Sequence, residues 1–272
     1  MKPDGQRMEF GQFFGDLVAE ERLGDLTVQE IRGRPPGGVP RHTHENAHFC
    51  LIVRGDYVTS TRNLEGRCTA GALLFHPAGT THADQFVPAE GRCVTISLPE
   101  AYLEDAGDPR LGSRSVTLDD AEIGFPGARM HRELREPDRF SPLSVEGLAL
   151  EMIARATERE QGVDGAPAWL ERAREFVHHH ATDPARVTEV AEAAGVHPVH
   201  LARVFRERLG LSPGEYLRRV RVGRALEMMG STKDGLAAIA HRAGFCDQSE
   251  LTKAFRREIG TTPARYRRAI RG

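Results

Sequence analysis

The spacing of apolar residues changes period along the chain. Over residues 26–31, 47–54, 57–61, 72–75, 82–87 and 92–98 it is alternating or continuous, in short runs cut by Gly and Pro. Such runs predict the strands of a sandwich or barrel. Residues 1–25 keep no clean period and predict an irregular arm or a short helix, while Pro35, Pro36, Gly37 and Gly38 predict a turn. Residues 99–108 read as an exit turn with a short helical piece, and 119–136 as a helix interrupted by Gly124, Pro126 and Gly127. A stronger helix is predicted over 141–160. Pro142 suits its first turn, and Leu143, Leu148, Leu150, Met152, Ile153 and Ala156 supply apolar surface for packing on the barrel or on a second subunit.

The last third has helical spacing and contains one pattern twice. Val190–Val196 matches Ile239–Phe245 at an offset of 49 residues, and Leu201, Phe205, Gly210, Pro213 and Tyr216 match Leu251, Phe255, Gly260, Pro263 and Tyr266 at 50. Each copy reads helix, Gly turn, helix. Gly195 and Gly244 fall where a helix end needs a left-handed residue, Pro198 suits a first turn, and Asp247 suits an N-cap. This is the helix-turn-helix pattern, whose second helix enters the DNA major groove.

A length of 272 residues favours two domains over one. The net charge of -2 is split, because residues 166–272 hold 19 Lys and Arg against 12 Asp and Glu. A basic tail on an acidic front points to nucleic acid as the tail's partner. The start of the chain has no secretory apolar stretch and no run is long enough to span a membrane, so the expected location is the cytoplasm. Cys50, Cys68, Cys93 and Cys246 form no CxxC pair and read as reduced thiols, three of them buried in strands.

Two stretches of the front carry candidate chemistry. The first is His42, His44 and His48 followed by Gly55; the second is Gly71, Pro77, Gly79 and His82. His42 and His44, two apart on a strand, point to one face, and His82 can reach them from a neighbouring strand. Neutral imidazoles suit Zn, Ni, Fe or Cu rather than Mg or Ca. His76, just before Pro77, reads as a rim residue, and His178–His180 as the C-terminal end of a helix. These stretches resemble the motifs of the cupin superfamily of jelly-roll barrels, with His48 standing where the family has Glu. The resemblance implies a metal site of His42, His44, His48 and His82 holding Zn, Ni or Fe; without metal, the same residues would line an organic-ligand pocket.

Residues 168–272 resemble the DNA-binding domain of the AraC/XylS family of bacterial transcription regulators, on Gly195–Arg206, Gly210–Arg218, Ile239–Phe245 and Leu251–Arg267. The resemblance implies seven helices, at 169–180, 188–194, 198–208, 213–229, 234–243, 248–258 and 263–269, the fourth a rigid connector. The expected architecture is therefore α+β in two domains. A cupin-type β-barrel sensor (1–110) and a helical coupling and dimerisation segment (111–160) precede a linker (161–167) and an all-α double helix-turn-helix domain (168–272). Exposed positions near the start of each recognition helix are the expected DNA contacts: Val199, His200, Ala202, Arg203 and Arg206, then Gln248, Ser249, Thr252, Lys253 and Arg256. Arg203 suits guanine and Gln248 adenine, whereas Arg206, Arg218, Arg256 and Arg257 suit phosphate or ion pairs. Glu250 either accepts from cytosine or faces away.

The leading function is a sequence-specific transcription regulator, an activator by family resemblance. A small-molecule or metal effector in the barrel would control binding to double-stranded promoter DNA, with RNA polymerase and a second copy as further partners. The competing class is a cupin oxygenase or isomerase with a DNA-binding tail. The His at position 48 argues against it, because the usual oxygenase set is two His and one carboxylate.

Overall fold

A computed structural model describes residues 6–23, 26–33, 38–99, 114–118, 121–161, 167–183 and 187–271. The exit turn expected over 99–108 and most of the linker expected over 161–167 lie outside these residues. Among the described residues the front holds nine strands: β1 (Gln6–Met8), β2 (Asp16–Leu23), β3 (Leu26–Arg32), β4 (Val39–His44), β5 (Ala47–Ser60), β6 (Glu65–Cys68), β7 (Leu73–His76), β8 (Thr81–Leu98) and β9 (Val116–Leu118). They form one curled sheet in the order β1-β4-β8-β5-β7-β9, with β3 also on β8, β2 on β3 and β6 on β5. All pairs are antiparallel except β1 with β4.

The described part of residues 1–25, expected as an irregular arm or a short helix, instead supplies β1 and β2. Their alternation is obscured because β2 is an outer strand with half-exposed positions. Two pairs of expected strands are each one long strand. β5 runs through Gly55, which takes φ +81 in a stretch of shifted register, and β8 spans both of its expected halves.

The continuous apolar run of β5 follows from burial on both faces. Cys50 and Ile52 face inward with Ile31, Leu74 and Cys93. Phe49, Leu51 and Val53 face the opposite way, into a second core shared with helices. The helices among the described residues are α1 (Ala121–Arg135), α2 (Ser141–Gln161), α3 (Ala168–His179), α4 (Val187–Ala194), α5 (Pro198–Leu209), α6 (Pro213–Ser231), α7 (Leu236–Arg242), α8 (Gln248–Ile259) and α9 (Pro263–Arg271), of which α1, α2 and α6 to α9 share this second core. On α2, Leu148, Met152 and Ile153 pack inward, while Leu143 and Leu150 stay exposed with Phe140 just before the helix.

The two repeats sit in different cores. Leu170, Val177, Val190, Leu201, Phe205 and Tyr216 close the first module on itself. Phe245, Leu251, Phe255, Ile259, Tyr266 and Ile270 of the second belong to the same core as the sheet's outer face, α1 and α2. The connector α6 serves both. Tyr216 and Val220 lie in the first core, and Val222, Leu226 and Met229 in the second. Its far end lies flat on β5 at Gly230, where an added Cβ would stand 2.6 Å from Ala70 Cβ and 2.7 Å from Val53 O.

Candidate metal centre and nucleic-acid interface

Five imidazoles meet inside the curled sheet. The β4–β8 register sets His42 opposite His82, and the β5–β7 register sets His48 opposite His76. His44 completes a closed ring. Centroid separations are 4.8 Å (His42–His44), 4.3 Å (His44–His48), 5.2 Å (His48–His76), 4.2 Å (His76–His82) and 4.3 Å (His82–His42). All five are at most 2% exposed. His76 is thus not a rim residue: on β7 it shares the inward face with Leu74. The period-2 count back from Pro77 carried that signal, but Pro77 made the position look like a turn.

The back of the ring is held by hydrogen bonds. His42 Nδ1–H donates to Pro40 O at 2.8 Å, and His76 Nδ1 is hydrogen-bonded to Ser115 Oγ at 2.8 Å. His82 Nε2 lies 3.2 Å from Asp84 Oδ2. Asp84 follows His82 by two residues on the same strand face, a carboxylate–histidine spacing missed in the sequence. Burial pushes its carboxyl up to about 6, against the pull of the Thr59 and Tyr57 hydroxyls. His42 Nε2 meets His44 Nε2 at 3.0 Å. The buried nitrogens His44 Nδ1, His48 Nδ1, His76 Nε2 and His82 Nδ1 have no hydrogen-bond partner.

Burial first, and mutual repulsion second, hold His44 down to about 3 and His82 far lower. Burial alone lowers His42, and burial with neighbouring imidazoles lowers His48; burial with His42 holds His76 at about 3. The ring is therefore neutral, the form a metal takes. The one-nitrogen-each sets His42–His44–His82 and His48–His76–His82 each lie within 4.8 Å. Orphaned buried nitrogens, backed on His76 by Ser115 and on His82 by Asp84, fit a divalent transition metal.

Unfolding frees these imidazoles to their ordinary pKa of 6.5, so below that pH the unfolded chain binds more protons than the fold does. Stability of the metal-free protein is expected to fall from about pH 6.5 toward pH 3, by up to ~1.4 kcal/mol per pH unit for each proton taken up. Urea unfolding at pH 7.5, 6.5 and 5.5 measures this. A midpoint that does not move would show the ring already charged in the fold.

A cavity of about 260 Å³ opens from the ring toward Phe13, Phe14, Val39, Phe86 and Val87. The Phe13 ring stands 4.8 Å from His44 and the Phe14 ring 5.0 Å from His42. Asp84 is the one carboxylate in the described lining, which contains no Lys or Arg. Cys50, Cys68 and Cys93 are buried cysteines outside any disulfide, and Cys246 is exposed.

In the tail, Gly195 and Gly244 take φ +73 and +92, the left-handed turn that each module needs. The recognition helices are α5 and α8. His197 caps α5, with Pro198 in its first turn; Asp247 caps α8 by accepting from Glu250 N. Val199 is 70% exposed, and Arg203, Arg206, Gln248, Ser249, Lys253 and Arg256 are also on the surface. His200, Ala202 and Thr252 are half-buried, His200 against Trp169 at 5.3 Å between rings. Arg203 pairs with Glu207 at 3.2 Å and reaches His200 Nδ1 at 3.1 Å. Arg257 pairs with Glu215. Glu250 accepts from Cys246 N at 2.9 Å, so it works as part of the helix cap.

Sequence reading also missed a buried ionic cluster joining sensor and tail. Glu30 Oε1 accepts from Arg92 Nη1 at 2.8 Å and lies 3.2 Å from His131 Nε2; Arg92 also donates to Ala269 O of α9 at 3.4 Å. Burial pushes the Glu30 carboxyl up, but His131 and Arg92 pull it below its ordinary value. Ile31 and Cys93, the cavity-lining neighbours of Glu30 and Arg92, are cross-strand partners on β3 and β8.

A sheet domain with an internal cavity, joined to two helix-turn-helix modules, defines a transcription regulator with a ligand-binding front and a DNA-binding tail. Known proteins have the same two parts. Residues 29–153 match the AraC-like ligand binding domain and residues 190–269 a helix-turn-helix domain. A putative AraC-like transcription regulator of Streptomyces antibioticus is 32% identical over 234 residues, 80% of this chain and 77% of the relative. The transcriptional activator RhaS of Shigella sonnei is 25% identical over 267 residues, 92% of this chain and 95% of the relative. The transcriptional regulator Rv1931c of Mycobacterium tuberculosis is 37% identical over 85 residues, which are 31% of this chain and only 33% of the relative. This chain belongs to the AraC-like family of transcription regulators. No helix among its described residues is long and apolar enough to cross a membrane.

Proposed function

We propose that the front senses a divalent transition metal (Zn, Ni or Fe) held by His42, His44, His48 and His82, with the adjoining cavity taking a small organic effector, and that the tail activates transcription from promoter DNA in the cytoplasm. The observation that carries this reading is the neutral ring of buried imidazoles, in one chain with two exposed recognition helices. With His at position 48 the ring lacks the two-His, one-carboxylate set of an oxygenase, which favours sensing over turnover. Metal content by elemental mass spectrometry tests the sensor. Near-stoichiometric metal in the wild type, lost in His42→Ala/His82→Ala, supports it; no metal after incubation with Zn, Ni and Fe leaves an organic-effector pocket.

Base reading falls to Val199, His200, Ala202, Arg203 and Arg206 on α5 and to Gln248, Ser249, Thr252, Lys253 and Arg256 on α8. Connector α6 spans ~28 Å at ~1.5 Å per residue, close to the ~34 Å turn of DNA that separates successive major grooves. Arg203 exchanges an exposed ion pair of small net value for a bidentate contact to guanine. Arg203→Ala is expected to weaken cognate binding by ~1–3 kcal/mol and to relax base preference at one position. Gel-shift titration of cognate against scrambled DNA checks it; an unchanged ratio would remove Arg203 from the reading face.

The coupling runs through β3 and β8, whose inner face lines the cavity while their outer face holds α9. A homodimer would bury the exposed apolar stripe of Phe140, Leu143 and Leu150. DNA-bound RNA polymerase is the partner an activator needs.

A further inference from the structure

We infer that His76, which belongs to neither histidine motif, is a further ligand of the metal, in a second triad with His48 and His82. The inference rests on the metal-sensing reading above. It concerns which nitrogens hold the ion.

The two triads within the ring share His82. In His42–His44–His82 the first two rings meet through their Nε2 atoms at 3.0 Å. With His42 Nδ1 bound to Pro40 O, that leaves His42 Nε2 and His44 Nε2 at the separation of two ligands on one ion. In His48–His76–His82 each ring keeps a buried nitrogen with no hydrogen-bond partner, His48 Nδ1, His76 Nε2 and His82 Nδ1, as His44 does at Nδ1. An unsatisfied buried acceptor costs ~1–3 kcal/mol, so three together mark a place built for a ligand.

The backs of two of these rings are also set. Ser115 Oγ engages His76 Nδ1, and Asp84 Oδ2 faces His82 Nε2. Such outer partners fix ring orientation and raise the donor strength of the opposite nitrogen. Ser115 lies just before β9, which pairs with β7, so the same strand pairing that buries His76 brings its anchor.

His76 also lies on the closed side. The cavity is lined by His42, His44, His48 and His82 but not by His76. An ion seated against His76 therefore keeps its far side toward the cavity. The seat carries no carboxylate among its three ligands, a donor set for Zn or Ni rather than Mg, Ca or Mn.

The test is Zn²⁺ and Co²⁺ titration of the full-length protein as wild type, His76→Ala, His76→Gln, His82→Ala and His42→Ala. Affinity is read by chelator competition and ligand number by the Co²⁺ visible spectrum, with urea unfolding of each metal-free variant to establish that it folds. His76→Ala, His82→Ala and His42→Ala are each expected to weaken Zn²⁺ at least 100-fold and to change the Co²⁺ spectrum. If His76→Ala does not fold, the near-isosteric His76→Gln serves, with the same expected loss. Wild-type affinity in the folded His76 variant, with loss in His42→Ala, would overturn the inference and return the ion to the motif triad. No Zn²⁺ or Co²⁺ uptake by the wild type would overturn the metal-sensing reading itself.

Discussion

Glu30→Ala is expected to remove ~3–5 kcal/mol of stability, because it strands Arg92 and His131 beside each other in a dry interface. Glu30, Arg92 and His131 are at most 2% exposed, and Arg92 and Glu30 meet at 2.8 Å. The damage should be located as well as large. Arg92 donates onward to Ala269 O, and the His131 ring stands against Tyr266 at 6.0 Å, so the loss falls on the seam between sheet and second module. Burial first, and the Glu30 charge second, hold the Tyr266 hydroxyl far above its ordinary range. Urea unfolding gives the magnitude, and hydrogen exchange of α9 amides gives the place. Glu30→Gln keeps the shape and one acceptor, and should lose less. An unfolding midpoint unchanged in Glu30→Ala would mean that the cluster contributes nothing net. Release of α9 should also weaken the dependence of DNA binding on the state of the cavity, since β3 and β8 carry both.

The two repeats should respond differently to the same substitution. Phe205→Ala and Phe255→Ala each delete a fully buried ring, with an expected cost of ~3–5 kcal/mol. Each ring packs edge-on to its module's tyrosine, at 5.6 Å to Tyr216 and 5.5 Å to Tyr266. Phe205 belongs to a core made only of the first module and the near half of α6. Its loss should split off an early calorimetric transition and leave the remainder at the wild-type temperature. Phe255 shares its core with Phe49, Leu51, Val94 and Ile96 of the sheet, so its loss should lower the main transition. One common transition, shifted equally in both variants, would show that the cores are not separate cooperative units.

Much of the tail was legible because its information is local. Gly195, Gly210, Gly244 and Gly260 all take left-handed φ at helix ends, and Ser212 and Asp247 cap the helices that follow. Such signals act within one turn of backbone and need no tertiary partner. The connector ends two residues past its expected end, at Ser231, because its last turn is held by packing on β5. In the front, β3, β5, β7 and β8 were legible as apolar runs. β1, β2, β4, β6 and β9 were not, because short or half-exposed strands carry too few apolar positions to show a period.

The residue order alone determined the two-part plan, the doubled module and four of the five imidazoles, since each depends on spacing that a strand or helix converts directly into a face. Only the tertiary structure decided that His76 closes the ring, that Asp84 and Ser115 stand behind it, and that Glu30 on β3 meets Arg92 on β8 and His131 on α1 under α9. These contacts depend on strand register and on which face of the sheet the helices cover. Both are set by long-range burial, which leaves no period in the chain.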